Sequence, residues 1–108
     1  MTRDQERSLW LHRAVAERLA TDSAGVLALA WSNLARYRRV HRDGRSEGWF
    51  VQWEALPTEG RESVERTLVS PSPAARELRA TSPFAGVLTP RERKELLHRF
   101  RAKGDRAA

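Results

Sequence analysis

At 108 residues, 40 % hydrophobic and 31 % charged, the chain fits one small domain with a single core. The absence of cysteine excludes disulfides and thiolate metal sites. The formal charge of +6, carried by 18 arginines and 2 lysines against 14 acids, favours acidic partners.

A first helix is predicted from Asp4 to Ala20. Leu11, Val15 and Leu19 recur every four residues with Ala14 beside them, so they share one face, and Trp10 lies at its edge. Thr21, Asp22 and Ser23 are all good N-cap residues for a second helix running to Arg42 and ending at Gly44. Its apolar face is Val26, Ala30, Leu34 and Tyr37, widened by Leu27 and Trp31. Arg36, Arg39 and Arg42 fall on the opposite side.

The segment "EGWFVQWEAL" predicts a short third helix with Trp49, Trp53 and Leu56 on one face, closed by Pro57. A fourth helix is expected over 59–69, with Val64 and Leu68 inward. Ser72 then caps a short helix whose first position is Pro73. Ser82-Pro83 breaks that helix, because a residue before proline disfavours helical backbone. Thr89-Pro90-Arg91-Glu92 reads as a capping box opening a last helix, with Leu96, Leu97 and Phe100 on its apolar edge and Gly104 at its end. Between these helices "PFAGVL" is too apolar for a free linker. It predicts a loop that lays Phe84, Val87 and Leu88 on the core, bent at Gly86.

The expected fold is therefore all-α. It is one domain over 1–108, a compact bundle of five to six helices, in which a long antiparallel hairpin is covered by shorter helices. The ends, 1–3 and 103–108, read as frayed. No apolar run reaches the 18 to 20 or so residues of a membrane span, and "MTRDQERS" is no apolar leader. A soluble, cytoplasmic protein is expected.

Catalytic patterns are not found. There is no GxSxG elbow and no glycine-rich phosphate loop. His12, His41 and His98 share no helical spacing that would build a metal site. The expectation is a non-enzymatic protein without cofactor or metal. Charge is uneven: residues 36–45, "RYRRVHRDGR", carry +4, residues 46–69 carry −3, and residues 91–108 carry +4. Arginine matches phosphate and carboxylate bidentately, and tryptophan with arginine is the composition of interface hot spots. Arg36, Arg39, Arg42, Arg45, Trp49 and Trp53 are thus the candidate contact residues, for a partner protein or for nucleic acid. A homodimer is a further reading. A helix-turn-helix over "SVERTLVSPSPAARELRA" has two prolines and no glycine in its turn, and its reading helix nets only +1.

The stretches "RSLWLHRAVAERL", "NLARYR", "WEAL" and above all "SPSPAARELRATSPFAGVLTPRER" resemble small actinobacterial proteins labelled helix-turn-helix regulators or antitoxin-like proteins. The resemblance spans about Arg7 to Phe100. It implies a small helical protein that works by binding a toxin-like partner protein, neutralising it and regulating its own operon. It implies no particular site residues.

Overall fold

The computed structural model describes the backbone of residues 1–107 and side chains as far as residue 104. Six α-helices follow one another: α1 Arg3–Thr21, α2 Ser23–Val40, α3 Glu47–Ala55, α4 Arg61–Val69, α5 Pro73–Ala80 and α6 Pro90–Ala107. A 3-10 turn, Leu56–Glu59, joins α3 to α4, with Pro57 in its first turn. No strand occurs among the described residues.

The helix starts follow local chemistry. The Thr2 hydroxyl accepts the Gln5 N–H at 3.1 Å and the Gln5 side chain accepts the Thr2 N–H at 2.9 Å, so α1 opens on a capping box. Asp22 alone separates α1 from α2 and caps α2 by accepting the Gly25 N–H at 3.1 Å. Ser72 caps α5 ahead of Pro73. Thr89 and Glu92 exchange backbone-to-side-chain bonds of 3.1 Å at the start of α6, as predicted.

The core is one cluster contributed by every helix but α6 and by the 84–88 segment. Leu19, Leu34, Val64 and Leu68 are essentially inaccessible, and Phe50, Trp53, Leu78, Phe84 and Val87 complete it. Burying residues of this kind stabilises by about 1.5 to 3 kcal/mol each.

A bundle is found, with α1 and α2, joined at Asp22 alone, packed on each other. There are three long helices, because α6 has 18 residues like α2 and is nearly as long as α1. The centre is α1, which packs on α2, α4, α5 and α6, most extensively on α4. Alternating long and short runs in the sequence do not encode which pairs meet.

Near the ends, Arg3 lies 4.2 Å from the Phe100 ring centroid, and the Trp10 indole donates to the Leu96 carbonyl at 2.8 Å. The last helix continues through Gly104 instead of ending there. A Cβ on Gly104 would collide with the Arg3 guanidinium. The part of the expected frayed end beyond residue 107 lies outside the described residues.

The 84–88 segment does cover the core. Phe84 and Val87 are buried, Leu88 is half-buried, and Gly86 takes φ +88°, a conformation that favours glycine. Phe84 meets Trp53 edge-on with centroids 5.4 Å apart.

Candidate functional site

The six candidate contact residues divide into two groups. Trp53 is 2 % exposed. Its indole donates to the Leu78 carbonyl at 3.1 Å and lies 3.3 Å from the Thr81 hydroxyl. It is a core residue with a satisfied polar edge, and a partner contact through it is corrected on that ground. Trp49 is half-buried and packs against the same core. The short α3 carries this much aromatic area because Phe50 and Trp53 enter the core and Trp49 packs against it.

The four arginines remain at the surface, all exposed. They do not form a single helical stripe, because α2 ends at Val40 and not at Arg42. The His41 N–H closes the helix on the Tyr37 carbonyl. Arg36 and Arg39 therefore lie on the last turns of α2, while Arg42 and Arg45 lie on the turn into α3, bent at Gly44 with φ +80°. Arg36 also stacks near the Tyr37 ring, 5.5 Å from its centroid. Basic groups at a helix C-terminus are favoured by its dipole.

Arg38, in the middle of this basic run, behaves differently. It ion-pairs with Glu47 at 2.9 Å and also with Glu54, so it clamps α3 against α2. Hydrogen bonding to Glu54, with a further bond to Glu47, holds its pKa above the ordinary arginine value. The acids of the 46–69 segment thus neutralise Arg38 and leave its neighbours alone. Arg45 makes one loose contact, 3.8 Å to Asp43, with its own side chain 90 % exposed.

An aromatic residue missing from the candidate set joins this face. Trp31 is 38 % exposed. Ala28, Ala35 and Arg39 share its side of α2 by three-, four- and eight-residue spacing, and all are exposed. In the sequence Trp31 looks like a widening of the apolar face; the structure leaves it at the surface.

Two further side chains position the surface. Asn33 is buried and donates to the Pro83 and Ala85 carbonyls at 2.8 and 2.9 Å. It fastens the 83–85 segment to α2. The signal was available: Asn33 sits three residues after Ala30 and seven after Val26, on the buried face. Arg79 is also buried and donates to the Thr67 and Ser70 carbonyls at 2.9 and 2.6 Å, tying α5 to the end of α4. Burial, reinforced by the nearby Arg76 and Arg13 charges, pushes its pKa down. With Arg79 turned inward, α5 cannot read DNA through it, and the helix-turn-helix over α4 and α5 lacks a basic reading face.

Among the histidines, His12 is the one with a built environment. Its Nδ1 donates to the Ser8 carbonyl at 2.7 Å and its Nε2 accepts the Ser82 hydroxyl at 2.8 Å. Burial holds the ring neutral by lowering its pKa. A serine hydroxyl on a histidine is also the geometry of a nucleophile and base. Here the Ser82 oxygen accepts the Phe84 N–H at 3.3 Å, and a backbone carbonyl rather than a carboxylate orients the ring. The pair fastens α1 to the chain entering the 84–88 segment. No group of three metal-ligating side chains assembles among the described residues, and no described helix is long and apolar enough to cross a membrane.

No family model, no curated protein and no solved structure matches this chain. The reading of its surfaces rests on their geometry and charge.

Proposed function

We propose that this chain is a non-enzymatic binding module whose arginine-bearing end of α2 engages the phosphate backbone of a nucleic acid. The observation that carries this reading is the contrast within one basic run. Arg38 is consumed by Glu47 and Glu54, while Arg36, Arg39, Arg42 and Arg45 stand exposed on two adjoining elements. Exposed arginines, of which only Arg45 has an acidic neighbour within 4.0 Å among the described residues, suit phosphate, which they bind bidentately without reading bases. Two of the four sit on a turn, so backbone contact rather than groove insertion fits this geometry.

The test is fluorescence anisotropy of a labelled duplex against salt. Each phosphate contact contributes about 0.9 to the slope of log affinity against log salt. The R36A/R39A/R42A variant is expected to lose affinity and to lower that slope by between about 2 and 3. An unchanged slope overturns the reading.

A second reading, an antitoxin-like module that binds a partner protein, draws on Trp31. An exposed tryptophan with exposed alanines on its face, leading into Arg39, has the composition of a protein hot spot. It expects a stoichiometric protein to survive nuclease in a pull-down and to be lost with Trp31→Ala.

A further inference from the structure

We propose that the groove between α6 and the 84–88 segment is a docking site for an acidic amphipathic helix of a partner protein. The open groove has a volume of about 550 Å³. Half-buried Leu88 and Leu97 form its apolar floor, and its rim carries Arg93, Lys94 and Arg101 with no acidic residue in the lining. The pattern comes from α6 itself: 93, 97 and 101 recur every four residues, and Lys94 stands one turn before Leu97 on the same side.

Neighbouring cations show what a neutralised arginine looks like in this fold. Arg18 pairs with Glu92 at 2.6 Å and Arg99 with Glu95 at 3.4 Å. Among the described residues Arg93 and Lys94 meet no carboxylate within 4.0 Å. Access is open on the far wall, where Ala85 and Gly86 are exposed and a Cβ at Gly86 would touch only Leu29, at 3.7 Å. A second cavity of about 300 Å³ shares Ala85, Gly86, Leu88 and Arg93 and extends the groove towards His12.

The chemistry selects the occupant. An apolar floor rewards only a ligand that dehydrates it with apolar side chains. The rim cations all stand on α6, so the occupant needs its acids on the flank that faces α6. Arg93 to Arg101 spans eight residues, about 12 Å, so a helix of at least two turns with leucine-like residues inward and Asp or Glu towards α6 matches it. A nucleic acid strand would leave the floor wet. This site is separate from the arginine end of α2, and it stands or falls independently of the nucleic-acid reading.

The test uses the full chain and a fluorescein-labelled 18-residue peptide with Leu at i, i+3, i+4 and i+7 spacing and Glu elsewhere. A scrambled peptide of the same composition is the reference. The amphipathic peptide is expected to bind and the scrambled one to bind at least about tenfold more weakly. R93E/K94E is expected to weaken binding about tenfold or more, and Leu97→Gln to weaken it while leaving its salt dependence unchanged. Circular dichroism melts establish that both variants fold. R36A/R39A/R42A is expected to leave the peptide bound, and R93E/K94E to leave duplex binding intact. Equal binding of the scrambled peptide, insensitivity to R93E/K94E, or displacement of the peptide by a thymidine oligonucleotide would each overturn the proposal. So would a concentration-dependent dimer in sedimentation that R93E/K94E abolishes, which would make a second copy the occupant.

Discussion

Asn33 shows how much one polar side chain decides. It is 3 % exposed inside an otherwise apolar helix face. A buried amide is costly unless its hydrogen bonds are made. Its two N–H groups meet two carbonyls of a segment 50 and 52 residues away. Those carbonyls, at Pro83 and Ala85, belong to non-helical chain with no ladder to satisfy them. Asn33→Ala would leave both unpaired and open a small void. A loss of about 2 to 4 kcal/mol is expected in urea unfolding. Asn33→Asp is expected to cost at least as much, since it presents a buried charge and acceptors to acceptors. A cost below about 0.5 kcal/mol for both would show that the segment holds by its apolar contacts alone. The aromatic residues tell the complementary story. Trp53 and Trp31 are equally hydrophobic in sequence, yet one is at the centre and the other at the surface.

At the scale of elements, two charged clamps hold short helices in place. Arg38 anchors α3 from α2 through two carboxylates, with the arginine side chain 32 % exposed. Such partly solvated pairs are worth about 1 kcal/mol or less, so the clamp orients α3 more than it stabilises it. Arg79 differs because it is buried and caps backbone carbonyls at the end of α4. The last carbonyls of a helix have no partner within it, and Arg79 supplies one between α4 and α5. Both bonds come from Nη1, while Nε and Nη2 are buried without a partner. Arg79→Ala is expected to cost about 2 to 4 kcal/mol, and Arg79→Lys to recover much of it, because one ammonium can donate both bonds. A Lys variant no more stable than the Ala variant in denaturant would refute this role for a single donor nitrogen.

For the whole molecule, the 84–88 segment acts as a strap. Asn33 fastens it to α2, His12 and Ser82 fasten its approach to α1, and Phe84 is wedged against Trp53. Global stability should therefore depend on the His12 proton. The ring is neutral when folded, and its folded pKa lies below the ordinary 6.5 because of burial, with the Arg79 charge adding to the effect and the Ser8 carbonyl opposing it. The unfolded chain then binds the proton more readily. The contribution is fully present above about pH 6.5 and is lost as pH falls from there through the folded value. Unfolding free energy is expected to drop between pH 7 and pH 5. His12→Gln should be less stable at pH 7 but flatter across that range. Parallel pH profiles for the two proteins would remove His12 as the cause. Glu92, held below the ordinary carboxylate range chiefly by the Thr89 N–H, adds its own loss only below about pH 4.5.

The amino-acid sequence by itself determined the helices, the caps at Ser72 and Thr89 and one among Thr21, Asp22 and Ser23, the break at Ser82-Pro83 and the inward turn of Phe84, Val87 and Leu88. These follow from periodicity, capping chemistry and the fixed backbone of proline, all of which act within a few residues. It also marked the basic runs at 36–45 and 91–108, since charge is additive along a chain. Only the tertiary structure decided which aromatic residues are core, which arginines are neutralised, and that α1 also packs on α4, α5 and α6. Those outcomes depend on contacts between residues tens of positions apart: Arg38 with Glu54, Arg79 with Thr67, Arg3 at Gly104. The groove on α6 is of the same kind, because its far wall comes from the strap that Asn33 holds in place.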